Sequence, residues 1–292
     1  MNKKVGFIGL GNMGLPMAKN LISAGFEVHC LDVKKDKENE VIEIGGKSGH
    51  TIPTLLKKVD IVLTSLPTPK VVESVYFGEE GLIDNSPENN ILIDLSTISP
   101  ELDNKIGETA KTKKVNYLGA PVSGSVSGAE AATLSIIVGG KEKTFNDAYP
   151  YLEAIGKNIF HVGEDYGIGT VVKLINNLLA GIHTQAAAEA LSIADSVGLD
   201  HDIVHDILTK STGQSAMLTR NYTNFISKNE YEKGKFTNAL LLKDVKLAND
   251  VSESYDNNLP IGKFLSEYLD ANLEDYKDMD MSSTYLKLKE NK

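Results

Sequence analysis

The chain has 292 residues, 41% apolar and 24% charged, with a formal net charge of -10 from 30 basic and 40 acidic residues. That length can bury one large core or two smaller ones, and the acidic balance disfavours nonspecific nucleic-acid binding, which needs a basic surface, while leaving room for a local basic pocket that takes a small acid. One cysteine, Cys30, excludes an intrachain disulfide, and no run approaches the roughly 18 uninterrupted apolar residues of a membrane span, so a protein of the reducing cytoplasm is expected.

Residues Met1 to Lys4 lead directly into an apolar run, without the long hydrophobic stretch of a cleavable signal. Val5–Ile8 predicts a strand, Met13–Ser23 a helix and Glu27–Leu31 a second strand. Buried strands are expected at Asp60–Ser65, Asn90–Asp94, Val115–Gly119, Ser135–Val138 and Asn158–Val162. Helical patterns fall between them at Pro69–Tyr76, Pro100–Lys111 and Lys141–Ile155. This alternation predicts an α/β domain with a Rossmann-type, doubly wound parallel sheet covered on both faces. From about Gly169 the pattern becomes all-α. Val171–Val197 reads as one long helix rich in Ala and Leu, followed by helices at His201–Lys210, Met217–Ser227, Leu240–Asn257 and Pro260–Ala271. The expected division is therefore 1–163 for the nucleotide domain and 164–292 for an all-α C-terminal domain. The polar tail from Asp275 to Lys292 is expected to be partly mobile.

The turn Gly9-Leu10-Gly11-Asn12-Met13-Gly14 follows the first strand and opens the first helix. Gly9 suits the tight turn, Gly11 lets the backbone approach a pyrophosphate, and Gly14 allows close packing of helix on strand. The helix N-terminus offers free N–H groups and a positive dipole end to phosphates. Pro16 falls in the first turn, where its missing N–H is not needed. Asp32 closes the second strand at about the offset from Gly14 expected for an acid that accepts bonds from the ribose hydroxyls. It favours NAD, because it would repel a 2′-phosphate. Lys34 and Lys35 follow closely and could pair with that phosphate, which keeps NADP as the alternative.

Hydride transfer to a carbonyl leaves negative charge on oxygen, so the site needs a proton donor there and further donors for a substrate carboxylate. Lysine suits the first role, because desolvation can lower its pKa toward neutrality. Lys173 lies in Gly169-Thr-Val-Val-Lys173-Leu-Ile-Asn176-Asn177. Lys173 and Asn177 share one helix face amid apolar neighbours, and polar groups in such a helix are costly to bury without a purpose. Of the six histidines, His201 and His205 have the spacing of a ligand pair, but no acidic zinc motif accompanies them. No nucleophile elbow of the Gly-x-Ser-x-Gly kind is present in a strand-to-helix setting.

With these residues in place, the chain resembles the 3-hydroxyisobutyrate dehydrogenase-related family of β-hydroxyacid dehydrogenases over nearly its whole length. Four motifs carry the resemblance, in order. They are Gly6-Phe-Ile-Gly-Leu-Gly-Asn-Met-Gly-Leu-Pro-Met-Ala18; Asp94-Leu-Ser-Thr97-Ile-Ser-Pro100; Ala120-Pro-Val-Ser123-Gly124-Ser-Val-Ser-Gly-Ala129, continuing to Thr133-Leu-Ser-Ile-Ile-Val-Gly-Gly140; and the Lys173 to Asn177 segment, supported by Leu242-Lys243-Asp244-Val-Lys-Leu-Ala248. The resemblance implies that Lys173 stabilises and protonates the alkoxide and that Asn177 orients substrate and lysine. It implies that Ser123 and Gly124 bind the substrate carboxylate, and that Thr97 lies near nicotinamide and substrate. Leu66 and Pro67 match a cofactor-contacting turn, Lys243 and Asp244 a helix that closes over the cofactor, and Phe236 a wall of the pocket. Ser125 departs from the Gly-Gly pattern of many relatives, which bears on the choice of substrate rather than on the reaction.

The expected activity is oxidation of a short β-hydroxyacid to its semialdehyde, or the reverse, with NAD. The runner-up is an NADPH-dependent reductase of tartronate semialdehyde, succinate semialdehyde or glyoxylate. A noncatalytic dinucleotide-binding module would have no use for Lys173, Asn177, Ser123 and Thr97 together. Phosphorylated sugar acids are disfavoured, since Arg220 is the only arginine. The expected partners are a small carboxylate and further copies of the chain, as a homodimer or homotetramer; no nucleic acid and no membrane are expected.

Overall fold

The computed structural model describes residues 4–234 and 236–290. Two compact units divide the chain, Met1–Lys173 and Leu174–Lys292. In the first, strands β1 (Lys4–Ile8), β2 (Glu27–Leu31), β3 (Ile61–Thr64), β4 (Ile91–Asp94) and β5 (Asn116–Gly119) lie parallel in the order β2-β1-β3-β4-β5. Beyond β5 come β7 (Leu134–Gly139) and then β6 (Val122–Ser123), with β8 (Gly156–Gly163) also on β7. The expected doubly wound parallel sheet is present in β1 to β5 and becomes mixed at this edge, where β7 runs antiparallel to both β5 and β6. Only residues 124–133 link β6 to β7, too few for the crossover that a parallel neighbour requires.

Helices α1 (Gly14–Ser23), α2 (Lys35–Ile42), α3 (Ile52–Leu56), α4 (Pro69–Phe77), α5 (Leu82–Asn85), α6 (Pro100–Thr112), α7 (Val126–Glu130), α8 (Glu142–Glu153) and the 30-residue α9 (Ile168–Val197) follow in chain order. Successive strand residues face opposite sides, so the apolar runs feed two cores. Val5, Phe7, Ile61, Leu63, Ile93 and Leu118 pack under α1 and α8 with Met17, Leu21, Ala148 and Leu152. Ile8, Val62, Leu92 and Tyr117 pack under α4 and α6 with Val72, Tyr76, Ile106 and Ala110. A sheet buried on both faces needs the near-continuous apolar strands seen here.

The first turn of α9 belongs to this unit, which carries the unit's end past the sequence-based division at residue 163. Thr170 donates to Asp103 Oδ2 at 2.5 Å, and Tyr117 donates to Asp103 Oδ1 at 2.5 Å. Gly167 lies so close to Pro100, and Gly169 to the Ile137 carbonyl, that a side chain at either would collide with backbone. Burial, with the nearby Asp94 charge, pushes the Asp103 carboxyl well above the ordinary carboxylate range, against these two hydrogen bonds. A raised carboxyl binds its proton more tightly in the folded state than in the unfolded chain. Its contribution is thus fully present below the unfolded value of about 3.9 and is lost as pH rises toward the folded value. Asp103→Asn, which cannot ionise, should therefore gain on the wild type between about pH 5 and about pH 8. Urea midpoints at both pH values check this, and an equal difference at both would refute it.

The second unit adds α10 (His201–Thr209), α11 (Ala216–Asn224), α12 (Asn238–Ser254), α13 (Pro260–Ala271), α14 (Leu273–Tyr276) and α15 (Thr284–Glu290). Asp200, Ser215 and Thr237 cap the N-termini of α10, α11 and α12 with side-chain oxygens. The polar tail corrects the expectation of mobility for residues 275–290; residues 291 and 292 lie outside the described residues. Asp280 is fully buried and takes a two-pronged bond from Arg220, both contacts at 2.6 Å. Tyr285 donates to Asp195 at 2.7 Å and Thr284 to Gln185 at 2.7 Å. The sole arginine is thus committed to anchoring the tail. No helix among the described residues is long and apolar enough to cross a membrane.

Candidate active site

The parallel register brings the carboxyl ends of β1 to β5 level, with Ile8 beside Leu31 and Thr64, Thr64 beside Asp94, and Asp94 beside Gly119. The chain leaves β1 for β2 on one side and returns to β3 on the other. This is the switch point at which open α/β sheets bind ligands. The turns carrying Gly9–Gly14, Asp32, Leu66–Pro67 and Thr97 all leave this edge.

Gly9 has φ +93° and sits against the Ser65 carbonyl, and a side chain on Gly14 would collide with the Gly9 carbonyl. Gly11 is the opposite case: a Cβ there meets nothing within 4 Å. The first and third glycines close the turn while the middle one leaves bare backbone facing open space, the cradle a dinucleotide pyrophosphate requires. Asn12 is exposed and Met13 half-buried. Leu10 is fully buried, with its side chain in the core and its N–H donated to Asp32 Oδ2 at 2.5 Å. Asp32 Oδ1 accepts from the Lys34 N–H at 2.7 Å. The carboxylate is thereby locked at the end of β2 with accepting capacity left over. These residues fit a nicotinamide dinucleotide.

Asp94 and Ser96 were not singled out from sequence, yet they tie two of these turns together. Asp94 Oδ1 accepts from Thr64 Oγ1 at 2.7 Å and Ser96 Oγ at 2.6 Å, and Ser96 Oγ accepts from the Leu66 N–H at 2.9 Å. The Leu66–Pro67 turn is therefore fastened to the Thr97 turn. Thr97 is half-buried, and the cap of α6 is Ser99, which accepts from the Leu102 N–H at 3.2 Å. A polar side chain closing each of two adjacent apolar strands was the available signal.

Ser123 ends β6 opposite Ser135. Gly124 is exposed with φ +138°, and a Cβ there would press on the Leu134 side chain at 2.7 Å. Ser125 caps α7 and bonds Ser127 Oγ at 2.5 Å, so its hydroxyl is engaged locally.

On α9, Lys173 is 7% exposed and Asn177 5% exposed, one turn apart on one face. Asn177 Nδ2 donates to Asp244 Oδ2 at 2.6 Å, while its Oδ1 accepts from Asn176 at 3.1 Å. Lys243 Nζ lies 3.0 Å from Asp244 Oδ1. Asn177, Lys243 and Asp244, drawn from separate motifs, form one polar cluster that fixes the amide. Phe236 is half-buried against the apolar cluster of Leu241, Leu242 and Met281. His201 pairs with Asp195 at 2.9 Å and His205 stacks on Tyr222.

Residues 4–163 match the NAD binding domain of 6-phosphogluconate dehydrogenase. Residues 167–288 match the NAD-binding domain of NADP-dependent 3-hydroxyisobutyrate dehydrogenase. The chain is 42% identical over 209 residues to a 3-hydroxyisobutyrate dehydrogenase of Pseudomonas aeruginosa, covering 72% of this chain and 70% of that protein. It is 37% identical over 258 residues to 2-(hydroxymethyl)glutarate dehydrogenase of Eubacterium barkeri, covering 88% and 84%. The solved structure of Mycobacterium tuberculosis 3-hydroxyisobutyrate dehydrogenase with L-serine superposes with a TM-score of 0.90 at 32% identity, over 99% of both chains. Fold and site define an NAD(P)-dependent oxidoreductase acting on the CH–OH group of hydroxyacids. The chain belongs to the 3-hydroxyisobutyrate dehydrogenase-related family of β-hydroxyacid dehydrogenases.

Proposed function

We propose that the chain interconverts a short β-hydroxyacid of the 3-hydroxyisobutyrate type and its semialdehyde, with NAD preferred. The observation that carries this reading is Lys173, a buried lysine one helical turn from an amide fixed by Asp244, in a chain whose Gly9–Gly14 turn is built for a dinucleotide. The nicotinamide, when bound, accepts or returns the hydride. Residues 1–163 hold the dinucleotide through the Gly11 backbone, Asp32, the Leu66–Pro67 turn and Thr97, and residues 164–292 form the helical domain. Lys173 Nζ takes the hydroxyl proton in oxidation and gives it back in reduction. Asn177 orients lysine and substrate, Ser123 and the Gly124 N–H hold the carboxylate, and Phe236 and Lys243 border the site.

A panel of 3-hydroxyisobutyrate, 2-(hydroxymethyl)glutarate, L-serine, tartronate semialdehyde, succinate semialdehyde and glyoxylate, each with NAD(H) and NADP(H), tests the proposal. The highest kcat/KM should fall on a β-hydroxyacid or its semialdehyde; no turnover of any member would sink it. Ser123→Ala should raise the substrate KM by about 10–100-fold, the worth of one charge-assisted hydrogen bond, with the cofactor KM unmoved. A shift in the cofactor KM instead would reassign this loop.

A homodimer or homotetramer belongs to the same proposal. Ile175, Leu179, Ile193 and Val197 on α9 are 60%, 51%, 66% and 66% exposed, apolar surface that a second copy would remove from water. Light scattering of the purified chain reads the mass, and a monomer at micromolar concentration would refute assembly.

A further inference from the structure

Helix α2 was invisible to the apolar pattern, because what it buries is a carboxylate. Glu38 is 2% exposed, and only Val41 accompanies it inside. Its Oε1 accepts from the Asp32 N–H at 3.0 Å, and its Oε2 holds Lys35 Nζ at 3.0 Å. Asp32 is thus gripped from both sides, its own N–H by Glu38 and its carboxylate by the N–H groups of Leu10 and Lys34. The next lysine along the helix, Lys37, is taken by Glu40 at 2.5 Å, and Glu40 also meets Lys19 at 3.4 Å.

We propose that Glu38 is a cofactor-specificity determinant, which withholds Lys35 from a 2′-phosphate and adds a second fixed carboxylate behind Asp32. The proposal rests on the reading of Asp32 as the group facing the adenosine ribose. A 2′-hydroxyl donates to Asp32 at no electrostatic cost. A 2′-phosphate brings up to two negative charges toward Asp32 and Glu38, and it needs a cation in exchange. Lys35 is exposed enough to swing, since its side chain is 69% accessible. To do so it must abandon Glu38, leaving a buried carboxylate without its counter-charge, which is the expensive half of breaking such a pair. Glu38 therefore sets the direction of the preference through Lys35, although it does not itself reach the ribose.

The test is the ratio of kcat/KM for NAD to that for NADP. Glu38→Gln keeps the acceptor for the Asp32 N–H and removes the charge, so the ratio should fall roughly tenfold or more, the size of one charge-assisted hydrogen bond. Adding Lys35→Ala to Glu38→Gln should undo most of that fall. Lys35→Ala alone should move the ratio by less than about twofold, because a lysine held on Glu38 Oε2 is not lent to a 2′-phosphate in the wild type. This last variant removes the counter-charge of Glu38 and leaves its carboxylate in place, so it can overturn the proposal even if Glu38→Gln folds poorly. The proposal is overturned by a Glu38→Gln ratio like the wild type, by a gain that survives loss of Lys35, or by a tenfold loss of NADP efficiency in Lys35→Ala alone. Asp32→Ala reads the underlying assignment separately. A ratio unmoved by that change removes the ribose role of Asp32, while the Glu38 proposal is still judged by its dependence on Lys35.

Discussion

Replacing Lys173 with alanine should cut turnover by about 10²–10⁴-fold, the range for a positioned acid or base, while cofactor affinity stays near its wild-type value. The reasoning begins with burial. A lysine at 7% exposure has given up most of its hydration, and an ammonium does that only where its protons have work. Its neighbour Leu174 is 1% exposed, and Thr170, three residues earlier, is fully buried on Asp103. The helix at Lys173 is thus anchored, and the ammonium is delivered from a rigid element rather than a loop. A structural lysine would predict a different pattern. Loss of its four-carbon stem would lower stability and impair all properties together. Lys173→Met separates the two cases by keeping the stem's volume. Melting temperature and cofactor titration should resemble the wild type, and kcat should fall as far as in the alanine variant. If Lys173→Met turns over at close to the wild-type rate, the proton is moved by another group.

How far the sequence anticipates the structure depends on what each segment buries. Val5–Ile8 and Ile61–Thr64 bury apolar side chains on both faces, so a short apolar run suffices to find them. The turn after β1 is equally legible, because Gly9 and Gly14 answer local steric demands that no other residue meets. Helix α2 was missed because Lys35–Ile42 turns Glu38 inward instead of an apolar stripe. The tail was misjudged for the same reason. Ser282, Ser283 and Thr284 are buried polar groups, and polarity in one dimension reads as exposure until partners such as Arg220 and Gln185 arrive from elsewhere in the chain. The same holds at the candidate site. Lys173 and Asn177 could be placed on one helix face from their spacing. That Asn177 is fixed by Asp244, and that Ser96 joins the Leu66 turn to Asp94, depends on register and packing that no local pattern carries.

The glycine turn makes a sharper demand than its motif alone, because two of its members should fail in different ways. Gly14→Ala places a methyl against the backbone carbonyl of Gly9, with no flexible side chain there to give way. The turn must move, and overpacking of this kind costs about 1–3 kcal/mol. A displacement of about 1 Å in a binding turn is enough to cost about 10²-fold in efficiency. Gly14→Ala should therefore lower the melting temperature of the cofactor-free protein and weaken NAD together. Gly11→Ala adds the same methyl where nothing lies within 4 Å. The cofactor-free protein should melt as the wild type does, and affinity for NAD should still fall, because the methyl occupies the space in which the pyrophosphate approaches the backbone. Thermal melts with and without NAD, beside fluorescence titration of NADH, read both quantities on the same samples. A Gly11→Ala protein that binds NADH normally would mean that the dinucleotide does not pass over this turn. A Gly11→Ala protein that is itself unstable would mean that the open space above Gly11 is closed by the protein in solution.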